Sequence, residues 1–315
     1  MRPQRTFDER LEDAKALLDS DPDATHGICV ELLNEQPENP LLLFLIGTIY
    51  VRAERYGHAY NVFKRVTDLH PKRSEGWNSL GTCYLGMNDL EAARRCFFRS
   101  NDLLPNKPEV LSNIALSYLD DGQPEKALEW SAKAMKIAPE LSGAHGNYGF
   151  ALLALDRWEE GWKHYAYTLG GKFRKIVQYG DEPLWDGKNA KSLIVYGEQG
   201  LGDEIMYASC LPDIDAKITL DCDKRLEGLF RRSFPHIEVH GTRREEEVDW
   251  LETYDANCPI GMLPEFFRKS SKDCPRTPYL KADPERVLQW KSLFKSYGKP
   301  VIAVKSDFCV NIRQA

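Results

Sequence analysis

The sequence of 315 residues lacks the features that mark secreted and membrane-spanning chains. Its longest uninterrupted apolar run, residues 41–46, is far shorter than the ~20 residues of a transmembrane helix. The charged residues 1–10 are not followed by an apolar signal segment. We therefore expect no membrane span and a cytoplasmic location.

Residue spacings typical of metal sites are also missing. The eight cysteines include no Cys-x-x-Cys pair, and the seven histidines have no spacing that suits a metal ion. Scattered thiols of this kind favour a reduced protein without disulfides or zinc. We expect no metal and no cofactor.

The sequence also lacks a strongly basic region. Residues 1–171 contain 19 Lys and Arg against 25 Asp and Glu, whereas residues 172–315 contain 23 of each kind. The net charge of −6 therefore belongs to the first part of the chain. Without a basic stripe to neutralise phosphates, neither part suits nucleic acid. The acidic part favours a peptide of basic or neutral character as ligand.

What the sequence does contain is a period of 34 residues, marked by Pro37, Pro71, Pro105 and Pro139. Aligning the chain on these prolines brings Leu43 into register with Trp77 and Leu111, Gly47 with Gly81 and Ala115, Tyr50 with Tyr84 and Tyr118, and Ala59 with Ala93 and Ala127. The pattern resembles the tetratricopeptide repeat, in which small residues let two helices touch and large ones fill the gaps. The resemblance predicts an α-solenoid of about five helix pairs over residues 1–171. The first pair is expected at residues 7–20 and 23–34, and the last at residues 142–155 and 157–169.

Polar residues recur on the first helix of the pairs, which lines the groove in tetratricopeptide proteins. They are Asn78, Ser79, Asn113 and Asn147. An amide side chain both donates to and accepts from a peptide bond, so a row of asparagines holds an extended backbone without selecting its sequence. The arrangement resembles the asparagine ladder of the protein O-linked N-acetylglucosamine transferases, with Leu45 and Ser79 in place of two asparagines. We expect a protein or peptide client in this groove; the alternative is that the asparagines are ordinary solvated helix residues.

After residue 171 the period ends, and residues 172–190 form an irregular connector. The pattern then alternates short β-branched strands with helices. Strands are expected at residues 192–196, 217–221, 237–240, 254–258 and 301–305, and helices at residues 203–211, 223–234, 262–269 and 284–297. This alternation predicts a parallel, doubly wound α/β sheet in residues 191–315.

The first predicted strand runs into a glycine-rich loop that precedes a helix starting at Asp203. The loop residues are Gly197, Glu198, Gln199, Gly200, Leu201 and Gly202. Glycines let the backbone approach a ligand closely, and a helix N-terminus favours anions. The glycine spacing is not that of dinucleotide domains, and no Lys-Ser or Lys-Thr follows as in a P-loop. A dinucleotide-dependent enzyme remains an alternative because Asp221 ends the second predicted strand.

Residues 193–212 resemble the opening strand, loop and helix of the two-domain glycosyltransferases related to the lipopolysaccharide heptosyltransferases, which have the GT-B fold. Three further motifs match bacterial and phage proteins in which tetratricopeptide repeats precede such a domain. They are Trp158-Glu159-Glu160-Gly161-Trp162, Pro183-Leu184-Trp185-Asp186-Gly187 and Pro278-Tyr279-Leu280-Lys281-Ala282-Asp283.

The resemblance implies a Rossmann-like lobe, a nucleotide sugar as substrate and Asp203 as the base that deprotonates the acceptor hydroxyl. The alternative role of Asp203 is a helix N-cap. Glu198 and Glu204 are expected to be solvated.

Glycosyltransferases of this architecture have two facing lobes, and the contacts to the donor nucleotide lie mainly in the second. Only residues 301–305 resemble the start of that second lobe, so we expect sugar transfer only if the missing lobe is supplied. The chain is then a truncated enzyme, one completed by another polypeptide, or a scaffold that has lost its chemistry. The leading hypothesis is a repeat protein that recruits a client for sugar transfer; its alternative is a non-catalytic protein–protein interaction scaffold.

Overall fold

A computed structural model of the protein describes residues 5–171, 174–177, 179–243 and 248–296. The chain divides into two compact units, Met1–Ala151 and Leu152–Ala315. This division falls within a helix, before the predicted domain boundary after residue 171, which stays a prediction. The strand predicted at residues 301–305 lies outside the described residues. Among the described helices, none combines the length and the apolar character needed to cross a bilayer.

Ten helices follow one another in pairs along the first half of the chain. They are α1 (Phe7–Leu17), α2 (Pro22–Glu35), α3 (Pro40–Arg52), α4 (Tyr56–Leu69), α5 (Ser74–Gly86), α6 (Leu90–Leu103), α7 (Pro108–Asp120), α8 (Pro124–Ile137), α9 (Ser142–Ala154) and α10 (Trp158–Ala166). From α3 onward, the first helices of successive pairs begin 34 residues apart, and so do the second helices. The predicted α-solenoid of tetratricopeptide repeats is confirmed.

The turn inside each of the last four pairs repeats one backbone geometry. The second residue after the first helix has a left-handed conformation at Glu54 (φ 56°), Asn88 (φ 62°), Gly122 (φ 69°) and Asp156 (φ 59°). The next amide donates to a carbonyl five residues earlier, as from Arg55 to Tyr50 at 2.8 Å. This bond closes the helix end in the manner of a Schellman motif. Glycine adopts the conformation without strain and Asn or Asp tolerate it, whereas glutamate adopts it at a steric cost.

Replacing Glu54 with glycine is therefore expected to raise the free energy of unfolding by about 1 kcal/mol, because strain in the left-handed turn is relieved. Urea denaturation of the full chain measures the change. The converse variant, Gly122→Ala, introduces that strain at the equivalent turn position of another pair and is expected to lose about 1 kcal/mol. A Glu54→Gly variant no more stable than wild type would contradict the account of the turn.

Paired helices cross where a small residue faces a large one. A Cβ atom built on Gly47 would lie 2.4 Å from Cζ of Phe63, and one built on Gly81 would lie 2.6 Å from Cε1 of Phe97. Both phenylalanines are fully enclosed in the core. In the next repeat Ala115 and Ser131 replace the glycine and the phenylalanine, so a larger first residue faces a smaller second one. At this helix crossing, a larger side chain on one helix therefore requires a smaller one on the other.

A methyl group added by Gly81→Ala is expected to lower the free energy of unfolding by about 1–3 kcal/mol, because the Phe97 ring has no space to move away. The matched control is Gly27→Ala in α2, where nothing lies within 4 Å of the added Cβ. That control is expected to gain about 0.5–1 kcal/mol from helix propensity. Equal effects of the two substitutions in urea denaturation would contradict the contact.

The second unit contains a four-stranded parallel sheet. Its strands are β1 (Ser192–Tyr196), β2 (Lys217–Asp221), β3 (Glu238–His240) and β4 (Ala256–Pro259), in the order β3-β2-β1-β4. In the part of this unit that the structure describes, four helices follow the start of the sheet: α11 (Leu201–Tyr207), α12 (Lys224–Ser233), α13 (Leu263–Phe267) and α14 (Pro284–Ser296). A small parallel sheet is thereby confirmed, and its assignment to a glycosyltransferase lobe stays a prediction.

Several predicted element bounds in this unit are wrong. The helix expected at residues 203–211 begins earlier, at Leu201, and after Tyr207 it tightens into a 3-10 turn, Ala208–Asp213. Pro212 cannot donate the hydrogen bond that an α-helix would need at that point. The strand expected at residues 254–258 begins at Ala256, where its pairing with Leu193 of β1 starts.

The last repeat helix, α10, lies in the core of the second unit. Its Tyr165 occupies the register position of Phe63 and Phe97 but packs against Tyr207, with ring centroids 6.5 Å apart. Trp162 contacts the same Tyr207 ring edge-on at 6.2 Å. The repeat pattern therefore extends to α10, but the apolar face of this helix packs in the α/β core.

Candidate functional site

The glycine-rich loop lies at the carboxyl edge of the parallel sheet, between two diverging connections. The chain passes from β1 to β2 and β3 on one side, and then returns to β4 on the other side of β1. In open α/β sheets, ligands bind in the crevice at such a reversal of strand order. Residues 197–202 follow β1 and residues 260–262 follow β4, so both border this point.

Arg174 and Glu198 occupy the space between these two connections. Their side chains are 2 % and 0 % exposed, and Nη2 of Arg174 lies 3.0 Å from Oε1 of Glu198. Arg174 also donates from Nη1 to the Tyr165 carbonyl at 3.0 Å, and its guanidinium lies over the Tyr165 ring at 4.2 Å. The expectation that Glu198 is solvated is wrong, because a buried arginine neutralises it.

Gln199 extends the same network toward α10 and α11. Its Nε2 donates to Glu198 at 3.1 Å, and its Oε1 accepts from the Tyr165 hydroxyl at 2.7 Å. A Cβ built on Gly261 would lie 2.5 Å from Oε1 of Glu198 and 2.6 Å from Nε2 of Gln199. Only glycine fits at position 261, so the side chains close the crevice tightly around the backbone that follows β4.

Glu204 forms a second buried ion pair behind the loop. Its side chain is fully buried and contacts Nη1 of Arg243, while Oε2 accepts from the Asp223 amide at 3.0 Å. A Cβ on Gly197 would lie 2.3 Å from the Glu204 carboxylate, so the glycine gives this side chain its space. The expectation that Glu204 is solvated is also wrong.

Asp203 lies on the more open side of the loop. Its Oδ2 accepts from the Gly200 amide at 3.1 Å, and the side chain is half-buried. The helix begins before Asp203, so the carboxylate reaches back from the first turn to an amide that the helix leaves unpaired. Gly200 and Gly202 are exposed. The role of Asp203 as a base stays a prediction.

Asp221, which the dinucleotide alternative depends on, is buried at the end of β2. Its Oδ1 accepts from the Thr242 amide at 2.9 Å and its Oδ2 from the Tyr179 hydroxyl at 2.7 Å. Burial raises the pKa of the Asp221 carboxyl despite these hydrogen bonds. Its acceptor atoms therefore serve contacts within the protein.

Removing the Arg174 charge tests the closed crevice. Arg174→Met leaves the Glu198 carboxylate buried without a cation and is expected to cost about 3–5 kcal/mol of unfolding free energy. The double variant Arg174→Met/Glu198→Gln is expected to recover part of that loss, because no unpaired charge remains. The control is Arg276→Met at an exposed position. Equal unfolding curves for the two single variants would show that the pair is not buried as described.

A second surface lies on the first helices of the repeat pairs. At 100° per residue, the second, fifth, ninth, twelfth and thirteenth positions of these helices share one face. The ninth and twelfth positions of α3, α5 and α7 are all half-buried. We call these residues the repeat face: Thr48, Val51, Thr82, Leu85, Leu116 and Leu119. Val51 and Leu85 also pack against the buried clusters of the unit.

The predicted groove asparagines connect consecutive first helices. Nδ2 of Asn113 on α7 donates to Oδ1 of Asn78 on α5 at 3.0 Å. Nδ2 of Asn147 on α9 donates to the Ser112 carbonyl on α7 at 2.8 Å. These bonds hold α5 beside α7 and α7 beside α9. Asn147 is buried between helices, whereas Asn78, Ser79 and Asn113 are half-buried, and their contact with a peptide stays a prediction.

Sequence reasoning missed the partners of the loop carboxylates and the apolar part of the repeat face. Arg174 and Arg243 belong to no motif, and nothing in their neighbourhood in the sequence indicates burial. The repeat face had a usable signal, because Val51, Leu85 and Leu119 are 34 residues apart. Apolar residues at a position where the helix meets solvent indicate a binding surface.

The period, the helix pairs and their turns are those of tetratricopeptide repeats. The family profile of the tetratricopeptide repeat matches residues 108–141, which comprise α7 and α8. The chain is similar to Protein FlbA of Caulobacter vibrioides, with 31% identity over 267 residues that cover 78% of this chain and 45% of FlbA. It is also similar to the general transcriptional corepressor ssn6 of Schizosaccharomyces pombe, with 27% identity over 120 residues that cover 37% of this chain and 11% of ssn6. The chain thus spans less than half the length of these relatives.

Two solved structures are similar to about half of this chain. The MamA protein has 20% identity and a TM-score of 0.43, covering 52% of this chain and 90% of MamA. The tetratricopeptide-repeat protein TTC0263 of Thermus thermophilus has 17% identity and a TM-score of 0.47, covering 51% of this chain and 89% of its own.

Proposed function

We propose that the protein is an interaction scaffold that binds a peptide segment of a client protein along the repeat face. The observation that carries this proposal is the column of half-buried apolar side chains at the twelfth position of α3, α5 and α7, formed by Val51, Leu85 and Leu119. These side chains occupy the same position on successive first helices, and together they define an apolar strip on one side of the helices. Groups of apolar side chains on a protein surface indicate binding sites, whereas apolar side chains scattered singly over a surface do not.

The amide pair beside this strip supplies the polar part of the recognition. Asn113 donates one of its two amide hydrogens to Asn78. Its side-chain oxygen and its second amide hydrogen can each form one more hydrogen bond with a ligand. A peptide backbone in contact with the strip has unpaired N–H and C=O groups that need such partners. Apolar side chains would then supply affinity, and the amides would hold the backbone of the client.

The test is selection of peptides from a random displayed library against the full chain, followed by titration of a selected synthetic peptide. The variant is Leu116→Ser/Leu119→Ser, two residues of the repeat face that lie outside the buried clusters. It is expected to weaken the peptide by at least tenfold, since each leucine contact contributes about 1–2 kcal/mol.

The matched control is Ile137→Ser, which removes an apolar side chain that is 47% exposed at the end of α8. It is expected to leave the affinity unchanged. Selected peptides that bind the Leu116→Ser/Leu119→Ser variant as tightly as wild type would contradict the proposal.

A second candidate function is sugar transfer with Asp203 as the base, supplied with a donor lobe from elsewhere. The observation that favours it is the half-buried Asp203 carboxylate at the carboxyl edge of the sheet, beside the exposed Gly200 and Gly202. Against it, Arg174 and Glu198 fill the adjacent crevice. A transfer assay with labelled nucleotide sugars tests it, with the full chain added to a lysate that supplies the donor lobe. Transfer that depends on the chain and is lost in Asp203→Asn supports Asp203 as the base, and transfer unchanged by that substitution removes it.

A further inference from the structure

Two carboxylates frame the apolar part of the repeat face on α7. Glu109 and Asp120 are at its second and thirteenth positions, with Leu116 and Leu119 between them on the same face. The helical rise places the two acidic residues roughly 16 Å apart along the helix axis. Within the described part of the chain, neither carboxylate has a hydrogen bond or an ion pair with a side chain of another residue.

The other charged residues on the same face are already paired. Glu75 of α5 contacts Nζ of Lys107 at 3.0 Å, and Arg52 of α3 contacts Asp19 at 2.7 Å. The nearby Arg94 is directed at Asp121, with Nη2 to Oδ2 at 3.0 Å. The charge of Arg94 is therefore paired with Asp121 and not with Asp120.

The position of the Asp120 carboxylate lowers the stability of the protein. It is the last residue of α7, where the helix dipole disfavours a negative charge. Its side chain reaches the surface, yet surrounding protein atoms displace enough water to raise the pKa of the Asp120 carboxyl. The equivalent positions of α3 and α5 carry Arg52 and Gly86, which avoid both penalties. The helix dipole and the partial burial both disfavour the negative charge of Asp120. A cation on a bound ligand would compensate this charge.

We propose that the client segment bound to the repeat face is basic and apolar, with leucine-like side chains on Leu116 and Leu119 and an arginine or lysine directed at Asp120. This inference rests on the proposed peptide-binding function and specifies the chemistry of the partner. A cation near Asp120 compensates the carboxylate and makes a charge-assisted hydrogen bond. Glu109 receives a second basic residue at the other end of the same helix, and the acidic first unit, with 17 Lys and Arg against 22 Asp and Glu in residues 1–151, steers such a segment toward the surface.

The decisive variant is Asp120→Asn, which keeps the shape and removes the charge. Peptides selected on the full chain are expected to be enriched in Lys and Arg relative to the starting library. A selected basic peptide, titrated by fluorescence anisotropy, is expected to bind Asp120→Asn about fivefold more weakly. The melting temperature of this variant is expected to equal or exceed that of wild type, so loss of binding cannot come from unfolding.

Glu129→Gln is the matched control, since it removes one acidic charge from an exposed position of α8. It is expected to leave the affinity within twofold of wild type, as a long-range charge effect alone would be screened by salt. The inference is overturned if Leu116→Ser/Leu119→Ser abolishes binding while the selected peptides lack basic residues or Asp120→Asn binds like wild type; the proposed function then stands. If binding does not depend on Leu116 and Leu119, the proposed function itself fails. A lower melting temperature of Asp120→Asn would overturn the argument from stability.

Discussion

The close crossing of paired helices is the constraint on which the first unit depends. Gly47 and Gly81 admit the rings of Phe63 and Phe97 into space that a single methyl group would occupy. Because the interiors of proteins are packed at near-crystalline density, this contact fixes the distance and angle between the two helices of a pair. The left-handed turn residue then fixes the connection. Repeating the same crossing and turn at a constant period aligns the first helices and brings their twelfth positions into one column.

The two surfaces of the protein differ in how their polar groups are used. At the edge of the sheet, Glu198 and Glu204 are buried and paired with Arg174 and Arg243. Desolvated pairs of this kind hold one arrangement strongly, since breaking either leaves a buried charge. At the two ends of α7, on either side of the repeat-face residues Leu116 and Leu119, Glu109 and Asp120 reach solvent and leave their charge uncompensated. The buried ion pairs therefore stabilise the fold, whereas the uncompensated carboxylates are suited to binding a partner.

The sequence predicts the repeat half well because its signals are local and periodic. Pro37, Pro71 and the small residues at Gly47 and Gly81 recur at the spacing of the helix pairs, so element type and bounds follow from the pattern. It predicts the parallel sheet from alternation alone. The bounds near Leu201 were missed, since the glycines on either side conceal where the helix begins.

The candidate site was predicted less completely, because burial of a charge depends on contacts remote in sequence. Glu198 and Glu204 follow a glycine-rich strand end and look solvated, but their cations come from positions 174 and 243. No propensity or spacing rule connects such pairs. Asn113 and Asn147 were identified by period, yet their hydrogen bonds to neighbouring helices depend on how the repeats stack.

Hydrogen–deuterium exchange of the full chain, with and without a selected peptide, tests the central claim most directly, because it locates the bound segment without any substitution. The account predicts that the peptide slows exchange in α5 and α7 and leaves residues 197–203 unchanged. Slower exchange confined to residues 197–203, with α5 and α7 unaffected, would contradict it.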